Sequence, residues 1–568
     1  MKDNEHTYIL QFEESIGIGA GCVAYGLNKP NISAPQDTLD SHSWNSKFTL
    51  REELRNMKAK QGNLKIVLAG LLLAILMASM DNTIVATAMG TIVGELGGLD
   101  KFVWVTSAYM VAEMAGMPIF GKLSDMFGRK KFFIFGLIVF LIGSILCGTA
   151  ESITQLSIYR AIQGIGGGAL IPIAFTIMFD TVPVEQRGKL GGLFGAVFGL
   201  SSIFGPLLGA YITDFINWQW VFYVNIPLGL LAFVFIVFFY KESPVHSKQK
   251  IDWWGSVTLV GAVVSLMFAL ELGGHKYEWN SGMIVGLFTI FAVLFAGFIF
   301  IERKVTDPII SFPMFKVRLF STSNLLGLLS GMAFITASVY IPIYIQGVLG
   351  GTATNSGLVL LPMMLGSVVS ATTGGFLMNK WSYRKIMIVF SVFFTVGMFL
   401  LTTLTPDTGR FLVTLYMILT GLGIGATFSV LTNAAIHHFE PSQRGSVNST
   451  VSFIRSLGMT LGITVFGIIQ RNEFSAKLND IFAAMGQDQG QMSNNPAFTD
   501  PRVLLAPEAR AAIPPEVLNK ITSALSTSIT QTFLWALIPT ALAFIIAIMM
   551  SKEKLESSVE YQKTVSEN

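Results

Sequence analysis

The stretch Gly121-Lys-Leu-Ser-Asp125-Met-Phe-Gly128-Arg129-Lys130-Lys131 decides how the rest of the chain reads. It is short and dense in charge, and it lies between two apolar runs, 102–121 and 132–150. A helix needs roughly 20 apolar residues to cross about 30 Å of hydrocarbon, and both runs have that length. The stretch is therefore a loop at a membrane face. Outward from it, twelve further runs have the same character: 66–88, 155–180, 190–212, 219–240, 253–272, 281–301, 320–348, 353–378, 386–404, 411–437, 447–470 and 532–550. None shows the alternation of a membrane barrel, and in lipid a helix satisfies its own backbone. The chain reads as an all-α polytopic membrane protein with fourteen transmembrane helices.

Composition agrees. Of 568 residues 52% are hydrophobic and 13% charged, and the mean hydropathy is +0.59. A soluble domain carries about twice that charged share. Such values exclude a disordered chain. Two distant cysteines, Cys22 and Cys147, exclude a disulfide scaffold. The net charge is +3, with no basic stripe for nucleic acid.

What matters is the placement of charge. An even number of spans puts both termini on one side. With the termini inside, the six short inner loops hold 17 basic residues and the six outer ones hold 3, Lys101, Lys276 and Arg410. The positive-inside rule then makes the N- and C-termini cytoplasmic. Residues 1–65 are mostly polar, with no cleavable signal peptide. Within them Thr49 and Glu52 predict a capping box opening a short helix near the inner surface, with a solvated linker as the alternative. On the outer side, 471–531 predicts a protruding helical hairpin. Phe474, Leu478 and Ile481 continue one stripe, and Val517, Leu518, Ile521 and Leu525 resume another beyond Pro496, Pro501 and Pro507.

The chain also repeats. A shift of 257 residues carries Gln163-Gly164-Ile-Gly166 to Gly168-Ala169 onto Thr420-Gly421-Leu-Gly423 to Gly425-Ala426, and Gln186-Arg187-Gly188 onto Gln443-Arg444-Gly445. A shift of 254 carries Gly121, Leu123, Asp125 and Lys131 onto Gly375, Leu377, Asn379 and Lys385. Two pseudo-symmetric six-helix bundles fit this, with the seventh and eighth spans inserted between them. The expected organisation is a cytoplasmic tail (1–65), a first bundle (66–241), the two inserted helices with their linkers (242–319), a second bundle (320–550) carrying the hairpin 471–531, and a cytoplasmic tail (551–568). The halves differ in charge: Arg160 falls on Met417 and Asp125 on Asn379.

These residues carry a resemblance. The loop 121–131 is similar to the loop between the second and third spans of the major facilitator superfamily. Leu156-Ser-Ile-Tyr-Arg160-Ala-Ile-Gln163-Gly164-Ile-Gly166 resembles that family's fourth-span arginine motif. Gly192, then Gly205-Pro206-Leu-Leu-Gly209, resembles its antiporter motif. Asp81-Asn-Thr83 and Trp218-Gln-Trp220-Val-Phe222-Tyr-Val-Asn225-Ile-Pro227 look like its fourteen-span drug:proton antiporter branch. The resemblance covers 66–550. Ser201, Ala210, Ala86, Gly90, Met126 and Gln219 depart from the motifs.

Physics gives these residues roles. A charge inside lipid is expensive and normally faces a cavity or a partner. Asp81, Glu113 and Arg160 sit well inside spans of the first half. Asp81 and Arg160 share a depth, and in the resembled fold their spans line one cavity, so they are expected to be close. Proton coupling and substrate binding are assigned to these three, with a structural ion pair as the plainer alternative for Asp81 and Arg160. Arg455, in the inner third of the thirteenth span, either snorkels toward the cytoplasm or takes part in gating or substrate contact. The resemblance implies a latch in which Gly121, Asp125, Gly128, Arg129 and Asp180 hold the cytoplasmic side closed, with Arg129 pairing Asp180. Gly192, Gly205, Pro206 and Gly209 permit close packing and a bend.

Six histidines show no ligand spacing, and His437 and His438 read as interfacial rather than metal-binding. No Walker loop and no nucleophile–base pair stands out, so neither an enzyme nor a cofactor is implied beyond a proton gradient. The expectation is a monomeric plasma-membrane antiporter, surrounded by lipid, that exports amphiphilic, often cationic, compounds against protons. The alternatives are a lipid or glycolipid exporter and a non-transporting membrane sensor.

Overall fold

The computed structural model describes residues 39–97, 103–182, 184–242, 250–274, 277–351, 353–484 and 514–555. For 39–63, 184–192 and a few other helical positions it describes the backbone alone. The chain forms two units, Met1–Gln61 and Gly62–Asn568. Of the first, only helical backbone from Leu39 onward is described.

Fourteen long helices follow in order: α1 (Leu39–Leu96), α2 (Val103–Phe127), α3 (Arg129–Gly148), α4 (Ile153–Thr181), α5 (Val184–Phe215), α6 (Asn225–Phe239), α7 (Trp253–Leu272), α8 (Gly282–Glu302), α9 (Arg318–Ile343), α10 (Ala353–Leu377), α11 (Tyr383–Leu401), α12 (Arg410–Ala426), α13 (Arg444–Ala484) and α14 (Pro515–Met549). A helical turn, Trp220–Tyr223, precedes α6, and a π-helical turn, Thr427–Leu431, leads from α12 into Thr432–Ile436. No named strand occurs among the described residues; a single bridge joins Gly273 and Tyr277.

Among the described residues thirteen helices are long and apolar enough to cross a membrane, the first through Leu64–Leu96. The fourteenth expected span, α2, has 25 residues and carries the polar side chains of Thr106, Ser107 and Glu113. It packs against α4, α13 and α7, so much of its surface meets protein. A second difference lies near the start. Helix α1 already runs through Thr49, which therefore cannot cap a separate helix.

The buried apolar residues gather into clusters, one mostly of the first half but joined by Phe320, Ala435 and Val447 of the second, another wholly of the second. In the first, Leu71, Ala74 and Ile75 of α1 pack with Phe133, Leu137 and Phe140 of α3, Ile173 and Ile177 of α4, and Ile236 of α6. In the second, Ile341 of α9, Met363 of α10, Phe394 and Met398 of α11, Met417 of α12 and Phe533 of α14 do the same. The repeat is visible in the backbone packing. A Cβ added at Gly164 or Gly168 of α4 would lie 2.3 or 2.5 Å from the Tyr109 or Glu113 carbonyl oxygen of α2. Their mates Gly421 and Gly425 of α12 would meet the Met363 and Ser367 carbonyl oxygens of α10 at 2.0 and 1.9 Å. Without a strong hydrophobic drive between helices in lipid, such small-residue approaches supply the packing.

The halves meet along α2–α13 and α5–α10. The inserted α7 and α8 pack on one another, and α7 lies on α2, where Leu259, Val263 and Met267 meet Met114 and Met117. Helix α13 has 41 residues, about 61 Å at 1.5 Å each, twice the hydrocarbon thickness. Its end and the start of α14 carry the two stripes of the expected hairpin. Pro496, Pro501 and Pro507 lie outside the described residues, as do Lys101 and Lys276.

Candidate functional site

Five helices of the first half contribute to a network around one buried carboxylate. Asp81 of α1 and Arg160 of α4 are fully buried and form an ion pair. The other oxygen of Asp81 accepts from Gln163 Nε2 of α4 at 2.8 Å and from Asn225 Nδ2 of α6 at 2.9 Å. Arg160 donates through Nη1 to Gln163 Oε1 at 2.8 Å and through Nε to the Val105 carbonyl of α2 at 3.1 Å, and its guanidinium lies 4.2 Å from the Tyr109 ring centre. Asn225 also donates to Ser144 Oγ of α3 at 3.0 Å, and Ser144 donates onward to the Phe222 carbonyl at 2.8 Å.

This degree of satisfaction is what a buried pair needs, because desolvating two charges exceeds their attraction unless the remaining polar atoms are also partnered. Within this knot two buried polar atoms have no partner among the described residues, Asn225 Oδ1 and Tyr109 Oη.

The sequence singles out Asp81 and Arg160. Gln163 enters it only as part of the repeat and of the arginine motif and Asn225 only as part of a motif, while Ser144, Tyr109 and Val105 go unremarked. Position alone could have found Gln163: one turn from Arg160, it shares its helix face.

Glu113 is half-buried on α2, and among the described residues it has neither a hydrogen bond nor an ion pair. No hydrogen bond joins it to the Asp81 knot, although it lies within electrostatic reach of Arg160, Asp81 and Tyr109. Arg455 of α13, in the other half, lies 4.9 Å from the Phe428 ring centre, and its Nε has no acceptor.

At the charged-loop face the two halves are tied together. Asp125, 3% exposed, accepts from the Gly445 and Ser446 amides at 2.9 and 2.8 Å. These amides open α13, so the carboxylate sits at a helix N-terminus and gains from its dipole. Burial pushes the Asp125 carboxyl above its usual range, and Arg129 and the two amides pull against that shift. Arg129 pairs with Asp125 at 3.3 Å, with Asp180 of α4, and with the Pro441 carbonyl of the second half. Asp180 in turn holds Arg444 at 3.2 Å. A Cβ at Gly121 would fall 2.1 Å from Ser449 Oγ, so glycine is what lets α2 and α13 touch here.

Gly128 breaks α2 from α3 with φ of 110°, a region that side chains avoid. The Glu242 carboxylate beyond α6 accepts from the Arg129 and Lys130 amides and so covers the start of α3. Lys130 Nζ donates to the Val237 and Tyr240 carbonyls at 2.7 Å each, capping the end of α6. Neither role of Glu242 nor of Lys130 was read from sequence.

The Gly205-Pro206-Leu-Leu-Gly209 stretch of α5 lies against α1 just beyond Asp81. Added Cβ atoms would meet Thr83 Oγ1 at 1.9 Å and Thr87 Oγ1 at 2.1 Å. Gly192 lies in α5, where only the backbone is described. His437 and His438 face Glu553, with His438 Nε2 at 2.5 Å from its Oε2.

Two helical halves related by an internal repeat, a buried charge knot inside one of them and a network of ion pairs between them define a membrane transporter fold. The sequence model of the Major Facilitator Superfamily matches residues 71–255 and 251–463, and the chain belongs to that family.

Its relatives narrow the class. It is 55% identical over 505 residues to Multidrug resistance protein 3 of Bacillus subtilis, covering 89% of this chain and 98% of that one. It is 35% identical to the Multidrug transporter protein MdtP of the same organism, covering 89% and 97%. It is 32% identical to the MFS-type efflux pump MFS1 of Trichophyton rubrum, covering 86% and 91%. Among solved structures, the proton:xylose symporter XylE aligns with a TM-score of 0.56 at 13% identity, over 89% of this chain and 99% of that one. The human organic anion transporter MFSD10 aligns at 0.52 and 14%, over 85% and 99%. These two share the fold.

Proposed function

We propose that the protein is a proton-coupled multidrug efflux antiporter working by alternating access. The observation that carries the reading is the fully buried Asp81, held by Arg160, Gln163 and Asn225, in a chain 55% identical to Multidrug resistance protein 3. A relative named as a multidrug transporter and another named as an efflux pump support the export of small compounds.

Ionised Asp81 is an acceptor for three donors. Protonation makes it a donor as well, and Asn225, whose Oδ1 has no partner, meets it by turning its amide over. The proton thus loosens Arg160 and rearranges α1, α4 and α6 together. A ligand biases two conformations only by binding them differently, and this change in donors and acceptors supplies the difference. Glu113, half-buried and unpaired, offers a second carboxylate for protons or cationic substrate. The contacts of Asp125, Arg129 and Asp180 with α13 and its approach hold the loop face closed, and the path then opens to the opposite face. In this reading the charged-loop face and both termini are cytoplasmic, the tails and bundles divide as the sequence predicts, and a monomer in the plasma membrane is the working unit.

Asp81→Asn tests the proposal. In vesicles with an imposed proton gradient, the variant folds and its dye efflux falls to background. Unchanged proton-coupled efflux would remove Asp81 from the mechanism.

A further inference from the structure

The Phe428 ring is approached from three sides. Phe198 of α5 stacks on it at 5.8 Å and 22°, Phe334 of α9 meets it edge-on at 6.4 Å, and the Arg455 guanidinium lies 4.9 Å from its centre. Phe428 stands in the π-helical turn Thr427–Leu431, a backbone irregularity that recurs at functional sites. The 257-residue shift carries Phe198 onto Arg455 and Gly205 onto Gly462. Equivalent positions of the two halves therefore meet on one ring, one supplying an apolar face and the other a charge.

That charge has no counter-ion. Among the described residues no carboxylate pairs with Arg455, and no acceptor reaches its Nε. A cation–π contact satisfies one face of the guanidinium and leaves its in-plane donors, the fork that matches a carboxylate, unused. An unpaired arginine within a span is costly, and this one sits where the halves meet on aromatic surface.

We propose that Arg455 with Phe428 forms a subsite for the anionic group of a flat, zwitterionic amphiphile. The aromatic body of that substrate lies against Phe428 and Phe198 as their stack parts. Its carboxylate takes the free donors of Arg455. Its cationic end is left to the carboxylates of the first half. This assignment rests on the efflux reading above and sharpens it: the preferred substrates carry both charges rather than a positive charge alone.

The test compares two dyes that differ only in that group, rhodamine 110, which has a free carboxylate, and rhodamine 123, its methyl ester. Binding to purified protein in lipid nanodiscs is followed by fluorescence anisotropy, and the ratio of the two affinities is compared between variants. A ratio within one preparation does not depend on the fraction of protein that folded. The wild type is expected to bind the acid about tenfold more tightly than the ester, the size of a charge-assisted hydrogen bond. Arg455→Gln loses that preference, and Arg455→Lys keeps part of it. An acid-to-ester ratio that is the same in wild type and R455Q overturns the subsite while leaving the efflux reading intact. Failure of the wild type to bind or export either dye overturns the efflux reading, and the subsite with it.

Discussion

Gly205 of α5 and Thr83 of α1 approach so closely that a methyl group on the glycine would lie 1.9 Å from the threonine hydroxyl. Thr83 donates to the Met80 and Ser201 carbonyls at 2.9 and 3.2 Å, two residues beyond Asp81. The α5 backbone thus sets the position of the α1 segment that carries the buried carboxylate. Gly205→Ala overpacks this contact and is expected to destabilise the protein by about 1–3 kcal/mol, read as a lower melting temperature in detergent. Thr83→Ala in the same chain recovers part of the loss. A G205A protein that melts with the wild type would show that α1 and α5 are not locked here.

Removing one member of a buried pair strands the other. Arg160→Gln leaves the Asp81 charge short of its counter-ion, at a cost of about 3–5 kcal/mol. Asp81→Asn together with Arg160→Gln should cost less than the two single changes summed. Chemical denaturation of the four proteins gives the coupling energy, and strict additivity would mean that the pair does not interact.

The latch predicts a change of access rather than of stability. Asp125→Asn keeps the shape but removes the charge facing the first amides of α13, a hydrogen bond worth about 1.5–3 kcal/mol. A cysteine placed at Ser449, in a background without Cys22 and Cys147, should then react faster with a membrane-impermeant thiol reagent applied from the charged-loop side. Equal rates with and without the substitution would separate Asp125 from closure.

At Gly128 the backbone itself is the constraint. Gly128→Ala forces a side chain into a positive-φ conformation and brings its Cβ within 2.9 Å of Glu242. A loss of about 1–3 kcal/mol is expected, with Glu242→Ala relieving the contact but not the backbone term. Thermal unfolding of the single and double variants distinguishes the two.

Most of the fold is legible in the sequence, because lipid imposes one length and one polarity on a span, and because the repeated glycines must recur wherever helices touch. Helix α2 shows where that logic weakens. A span covered by protein on several sides tolerates polar residues such as Thr106, Ser107 and Glu113, whose surroundings sequence does not reveal. The candidate site is legible only through its charges. Asp81 and Arg160 are conspicuous in apolar surroundings, whereas Gln163, Asn225 and Ser144 are ordinary polar residues whose partners depend on how helices rotate against each other. Glu242 could not be inferred at all, since its ligands are backbone amides more than a hundred residues away in sequence.

Lys130 has two lives. While the chain is being inserted its amine is a free positive charge, one of those that hold the loop on the side where translation occurs in the orientation proposed above. Once α3 and α6 have come together, the same amine is consumed by the Val237 and Tyr240 carbonyls. A biogenesis signal is thereby recycled as a structural clasp. A neutral substitute would keep a topology set by the remaining basic residues and still deliver a bundle with one end of α6 unfastened.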